Sequence, residues 1–322
     1  VPDRISSSQS SRAARRRKST SRQIDGEQER QRRNQRHWDR TLDPQNLRAS
    51  GARGNGGGGG FRLREELRHW DTSEQRWAVR RLEPLDGRRV LELGGGLGVG
   101  AAALAMRGAE VVILDISLQR ARAARRMLLR EGLAQKVHIV VGEAENLPFR
   151  SGAFDRATTK AVLIHTNLPR AAREIHRVLR PGGRAVVLEP LDAHPAISIY
   201  RAFLAPSAWK SITRYWNRKR VDAFLQPFGG LKRAGSVRFF YLTGVLTAFF
   251  AYGPGRNRGV RRFFEVLLDP LDSLLLRWFP ALRWRCWFCG IEAVHRPQLT
   301  HDPRYSTNAV LGACAAKRRS RQ

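Results

Sequence analysis

The sequence predicts an α/β protein built on a mostly parallel sheet, and three observations carry that expectation. From Arg89 onward, short apolar runs alternate with amphipathic stretches. One of those runs breaks into glycines at Val90-Leu91-Glu92-Leu93-Gly94-Gly95-Gly96-Leu97-Gly98, and the next ends on the acidic Asp115. Strand and helix periods alternating at this spacing are what βαβ units produce. The chain has 322 residues, 42% of them hydrophobic, enough for one sizeable core.

Residues 1–36 are rich in Arg, Ser and Gln with few large apolar side chains, so they read as a disordered basic tail that cannot offset its own ordering entropy. Residues 51–60 hold a five-glycine block and read as a linker, so that 1–60 together form a tail and linker. His37-Trp38-Asp39 is echoed by His69-Trp70-Asp71, two short pieces whose Trp is expected to pack on the domain. The core is expected over 61–195, with strands at 89–93, 110–114, 137–141, 154–158 and 184–189. A helix over 99–107 stops at Gly108, which suits a left-handed terminator. Ser117 is placed to cap a helix over 118–130. Leu168, Ala172, Ile175 and Leu179 recur at helical spacing, and that helix ends before Pro181-Gly182-Gly183.

Beyond Pro190 aromatic and basic residues interleave. If 209–220 is helical, Trp209, Ile212, Tyr215 and Trp216 share one side with cations on the flanks, an arrangement suited to an interfacial element or a pocket lid. The uncharged run between Arg238 and Arg256 is too short to span a bilayer, which takes ~20 apolar residues. Residues 196–300 form the aromatic and basic region expected to cover the acceptor, and 301–322 a second basic tail.

Lys and Arg number 59 against 28 Asp and Glu, a formal charge of +31. The excess lies around the expected core rather than in it: 196–300 alone holds 17 cations and 5 acids. Such a field suits a polyanionic partner, which leaves nucleic acid and an anionic membrane surface both open. Three cysteines, Cys286, Cys289 and Cys314, make no disulfide framework, and no signal segment is visible, so the expected location is the cytoplasm, peripheral to the inner membrane face if lipid is the partner. Cys286-Trp287-Phe288-Cys289 has C-x-x-C spacing, but a zinc site lacks its second pair, and alternation over 284–294 suggests a strand with the two cysteines on opposite faces. No metal site is expected.

Glycines let the backbone turn tightly and approach a ligand, and an acid ending the following strand is placed to accept ribose hydroxyls. Four segments in order give the chain a family resemblance: Glu92 to Gly98; Leu114-Asp115; Gly142-Glu143-Ala144-Glu145-Asn146-Leu147-Pro148-Phe149; and Glu174-Ile175-His176-Arg177-Val178-Leu179-Arg180-Pro181-Gly182-Gly183. With these it resembles the class I S-adenosylmethionine-dependent methyltransferases, in the ubiquinone and menaquinone biosynthesis branch. The resemblance implies a Rossmann-like, seven-stranded, mostly parallel sheet with helical additions over its C-terminal edge, closed by an antiparallel pair at 237–242 and 284–294.

It also implies S-adenosylmethionine as cofactor, with Gly94, Gly96 and Gly98 shaping the methionine pocket and Glu92 beneath the amino group. Asp115 would bind the ribose, Ile116 pack on the adenine, and Glu143 and Ala144 face the adenine edge, where the family has Asp rather than Glu before Ala. His165 is either the general base or a shaper of the cofactor loop. An NAD site is the rival reading of the glycine turn, but G-x-G-x-x-G is met only loosely, through Gly100 or Ala101.

The implied activity is methyl transfer to a small, hydrophobic or lipid-like acceptor. Its rivals are methylation of nucleic acid, for which the fourth strand lacks the Asn/Asp-Pro-Pro-Tyr type of turn, and a catalytically silent fold acting as a binding module.

Overall fold

Val90, Leu91 and Leu93 are almost wholly buried because the strand they build, β1 (Arg89–Leu93), lies inside a sheet covered on both faces. The computed structural model describes residues 26, 28–40, 62–203, 205, 212–245, 247 and 257–296. Its sheet has seven strands, β1 with β2 (Glu110–Asp115), β3 (Val137–Val141), β4 (Phe154–Lys160), β5 (Leu179–Pro190), β6 (Gly235–Phe240) and β7 (Phe288–Val294), in the order β3-β2-β1-β4-β5-β7-β6. The first five run parallel, β7 is antiparallel to β5, and β6 is antiparallel to β7. The expected α/β architecture and closing pair are present.

Alternate strand residues feed two apolar layers. Leu91, Leu93, Ala185 and Val187 face one, shared with Ile175 and Phe224; Val90, Val111, Val186 and Leu188 face the other, shared with Trp77 and Met127. The covering helices are α1 (28–40), α2 (Leu63–Trp70), α3 (Ser73–Leu82), α4 (Val99–Ala105), α5 (Leu118–Arg130), α6 (Leu168–Val178), α7 (Pro195–Phe203), α8 (Arg218–Leu225) and α9 (Arg258–Trp278). Ser117 caps α5 as expected, its side chain accepting the Arg120 N–H at 3.1 Å.

Several expectations are corrected. Residues 28–40, read as part of a disordered tail, form α1: Arg and Gln are good helix formers, and Glu29 pairs with Arg33 and Arg36 along its side. Residues 209–220 are not one helix. Trp209 lies outside the described residues, 213–217 are non-helical, and Trp216 is wholly buried, its backbone bridging to Leu191. Strand β5 starts at Leu179 instead of 184, because Pro181-Gly182-Gly183 is a bulge within it, with a register shift against Phe154 and Arg156. Beside it in the sheet, β7 begins only at Phe288, after a 3-10 stretch over Pro280–Arg285. Cys286 therefore precedes the strand, and the opposite-face argument does not apply to it. Both cysteines are buried free thiols, and burial pushes Cys286 up to about 12.

Candidate functional site

Six of the singled-out residues, Gly94, Asp115, Ile116, Glu143, Ala144 and His165, line one cavity of about 250 Å³ at the C-terminal ends of the parallel strands. That is where the crevice of an open α/β sheet forms. Of the glycine turn, Gly94 lines it, while Gly96 and Gly98 do not. Gly94 has φ +66°, and a Cβ there would stand 2.3 Å from Cγ2 of Val162. Gly96 and Gly98 also have positive φ, and they carry the chain into α4.

Asp115 does more than end a strand. Its carboxylate accepts the Gly96 N–H and the Ser117 N–H, each at 2.9 Å, and so pins the glycine turn to the start of α5. Each oxygen keeps a further lone pair.

The structure separates Glu92 from the main cavity. It borders a second, much smaller one of about 20 Å³ with Trp70 and Thr159, and Lys160 lines both. Gly100 makes room for this carboxylate, since a Cβ there would fall 2.0 Å from Oε1. That close approach is the reason for the glycine which the dinucleotide reading had used. Oε2 of Glu92 is sealed from solvent and has no hydrogen-bond partner among the described residues. Desolvation, with the nearby Asp115 charge adding to it, pushes the Glu92 carboxyl up to about 8.

His165 sits in a 3-10 turn, Leu163–His165, directly after β4. Its Nδ1 lies 3.2 Å from the Ile212 carbonyl, which only accepts, so Nδ1 carries the proton and Nε2 the lone pair. Burial holds its pKa down to about 4, the Ile212 contact opposing. The ring is thus neutral at pH 7 and a weak base. Glu189, fully buried, supports the turn through Oε1, which accepts the Val162 and Leu163 N–H groups at 3.1 and 2.8 Å. Replacing Glu189 by Ala is expected to leave both donors unpaired and to lower unfolding stability by about 2–4 kcal/mol in urea titration; a change below ~0.5 kcal/mol would show that the turn holds itself.

Lys160, at the end of β4, donates to Oε1 of the buried Glu74 at 2.8 Å, while Tyr241 donates to Oε2 of the same carboxylate. Its charge is thereby matched inside the fold.

Two sequence segments that resemble the family turn out to be one device. Glu174 on α6 accepts the Leu147 N–H at 2.8 Å, and Arg177 donates to the Phe149 and Leu147 carbonyls at 2.7 and 3.0 Å. Glu174 and Arg177 also pair with each other at 2.7 Å. This clamp holds the loop that presents Glu143 and Ala144.

Helix α1 crosses the same cavity; it places Trp38, expected from sequence to pack on the domain, and supplies Arg30, Gln31 and Asn34, which sequence reasoning missed. Arg30, Gln31, Asn34 and Trp38 face the site at i, i+1, i+4 and i+8. Arg30 donates to the His165 carbonyl and to Glu145, both at 2.7 Å; Gln31 donates to Glu143 at 2.5 Å; Asn34 donates to the His165 carbonyl at 2.9 Å. Trp38 packs its edge on His165, and the Arg120 guanidinium lies 4.5 Å from the Trp38 ring centroid. The Ser117 hydroxyl donates to Asp39 at 2.5 Å.

Residues 91–187 match a family model described as a methyltransferase domain. A demethylmenaquinone methyltransferase of Clavibacter sepedonicus is 35% identical over 151 residues, 44% of this chain and 60% of that protein. A biotin biosynthesis bifunctional protein of Cellvibrio japonicus is 33% identical over 189 residues, 55% of this chain and 36% of its own length. The chain thus spans between about a third and three fifths of these curated relatives. Among solved structures, geranyl diphosphate C-methyltransferase from Streptomyces coelicolor superposes with a TM-score of 0.54 at 16% identity, over 83% of this chain and 98% of that one. That likeness is one of fold.

Proposed function

We propose that the chain, whose residues 91–187 match a methyltransferase-domain model, transfers a methyl group from S-adenosylmethionine to a small, hydrophobic acceptor. The observation that carries this reading is the single cavity that gathers Gly94, Asp115, Ile116, Glu143, Ala144 and His165 under α1. The curated relatives named for demethylmenaquinone support a quinone-like or similarly apolar acceptor.

The residues fit the cofactor. Asp115 retains lone pairs that would accept ribose hydroxyls, Ile116 and Ala144 would offer apolar surface to a base, and Glu143 would face its edge. Glu92 lies in the separate small cavity, which shares Lys160 with the main one, so its partnerless Oε2 would receive the cofactor's ammonium only where the two cavities join. When bound, S-adenosylmethionine supplies a methyl group already activated on a sulfonium, so the chain has mainly to hold and orient the acceptor and keep water out. Trp38, Val162 and the neutral His165 ring form an apolar wall for that task. With its pKa held down to about 4 by burial, His165 would offer this wall a neutral ring whose Nε2 is a weaker proton acceptor than an ordinary imidazole.

The test is transfer of labelled methyl from S-adenosylmethionine by the purified chain offered a lipid and quinone extract, with RNA and protein fractions as parallel acceptors. Label in the organic fraction supports the reading; label confined to RNA would replace it with nucleic-acid methylation.

Two further results are expected. A Glu92 carboxyl near 8 is largely protonated at pH 7, and a cationic partner favours its anion, so cofactor binding should release protons and tighten as pH rises from 6 to 7, by up to tenfold. Calorimetry in buffers of different ionisation enthalpy reads the release, and Glu92→Gln should remove it. Deleting residues 1–60, read from composition as a tail and linker, should weaken cofactor binding roughly tenfold, about 1.4 kcal/mol, by removing α1 and the Trp38 wall; unchanged affinity would show that α1 takes no part.

A further inference from the structure

Helix α9 is built inside out. Its inward positions carry charge: Arg261 and Glu265 are each 1% exposed and Asp272 6%. Each is fixed by specific bonds. Arg261 donates to the Arg68 and His69 carbonyls, both at 3.1 Å; Glu265 pairs with Arg76 at 2.7 Å; Asp272 accepts the Leu242 and Thr243 N–H groups at 2.8 Å. Asp269 accepts from Ser73 at 2.6 Å. These bonds lock the rotation of the helix, and the rotation they lock turns the apolar side outward. Phe263, Leu267, Leu271, Leu274 and Trp278 follow at spacings of four, four, three and four, a single stripe, and Phe263 is 65% and Trp278 70% exposed. From Phe263 to Trp278 it runs about 22 Å at ~1.5 Å per residue.

An amphipathic helix in water does the reverse, so this one is oriented toward something apolar. Its outward charge is of one sign. Arg262 reaches Glu265 at 3.3 Å, and the other acids are engaged with inner partners, while Arg277, Arg283 and Arg285 are exposed beside the stripe. The nearby α7, tied to the same 242–243 turn by the His194 Nε2 contact with the Leu242 carbonyl, adds exposed Ile199 and Phe203. Two copies meeting through this face would bring Arg277, Arg283 and Arg285 against their counterparts, the acids of α9 being engaged elsewhere. No helix among the described residues is long and apolar enough to cross a membrane.

We propose that α9 is an interfacial helix that lays its Phe263-to-Trp278 stripe into the acyl boundary of an anionic lipid bilayer, with its arginines among the headgroups. An in-plane helix of this kind buries its apolar side roughly 5–10 Å into the boundary, and each nearby cation adds attraction to acidic lipid. Trp278 at the end of the stripe sits where ring and headgroup region meet. The inference does not depend on the methyl-transfer reading.

The test is flotation of the full chain with phosphatidylcholine vesicles, with and without roughly 30 mol% phosphatidylglycerol, an anionic lipid that makes the surface potential negative. It is set beside the charge-neutral variant Phe263→Ser/Leu267→Ser/Leu274→Ser, with light scattering for oligomeric state and thermal unfolding for the fold. Expected is binding to the anionic vesicles, weakened at least tenfold in the variant, while melting and cofactor affinity stay as in the parent. Equal binding by parent and variant would overturn the proposal and assign the attraction to charges elsewhere. Absence of vesicle binding would also overturn it. In that case a dimer dissociated by the substitutions points to a second copy on this face, and a large loss of thermal stability to a segment of the chain itself.

Discussion

Gly94→Ala is expected to abolish detectable cofactor binding, an affinity loss of at least ~100-fold or about 3 kcal/mol. Two costs combine. The backbone at 94 has φ +66°, where an L side chain costs roughly 1–2 kcal/mol, and the new Cβ would lie 2.3 Å from Val162 Cγ2, far inside contact distance. Val162 cannot simply retreat, because its N–H is held by the buried Glu189 and it is itself part of the cavity wall. The turn must shift instead, and with it the Gly96 N–H that Asp115 grips. A double-mutant cycle separates the costs: Val162→Ala in the Gly94→Ala background should recover the steric part and leave the conformational part. Calorimetry with S-adenosylmethionine and urea unfolding of all four proteins check it. A single variant that binds within threefold of the parent would mean that Gly94 does not shape the site.

What was legible in the sequence is what rests on apolar periodicity and glycine. Strands β1 to β4 follow from short apolar runs, and the cavity residues from Gly94 to His165 follow from motifs at strand ends. The bulge at Pro181-Gly182-Gly183 looked like a loop because proline and glycine punctuate both. Helix α1 escaped for a different reason. Arg30, Gln31 and Asn34 meet carboxylates and carbonyls, so the face that packs is polar and leaves no hydrophobic signal. Helix α9 was expected only as an unspecified helical addition. Its apolar stripe gives a clear helical period, yet the period alone does not say which side faces the protein. That depended on Arg76, Arg68 and His69, far away in sequence, being placed to receive Glu265 and Arg261. The clamp of Glu174 and Arg177 on Leu147 and Phe149 was visible as two motifs but not as one contact.

Asp115→Ala should damage both the fold and the site, and more than a ribose contact alone would require. Losing only a charged acceptor for ligand hydroxyls costs about 1–3 kcal/mol in affinity. Here the same carboxylate also satisfies the buried N–H groups of Gly96 and Ser117, and truncation leaves both without an acceptor. At ~1–2 kcal/mol for each stranded donor, unfolding stability should fall by about 2–4 kcal/mol, and the released glycine turn adds its own penalty to binding, for a total affinity loss of 100-fold or more. Asp115→Asn distinguishes the two roles. Its amide oxygen still accepts one N–H, but its NH2 group faces the other donor, so stability should fall by about half as much as in Asp115→Ala. The Arg120 guanidinium, whose charge the aspartate offsets and whose plane lies near Trp38, becomes less well held in both variants. Urea titration and calorimetry on the same preparations read the two effects side by side. Loss of binding with unchanged stability would assign Asp115 to the ligand alone, and loss of stability with unchanged binding in the folded fraction would assign it to the turn alone.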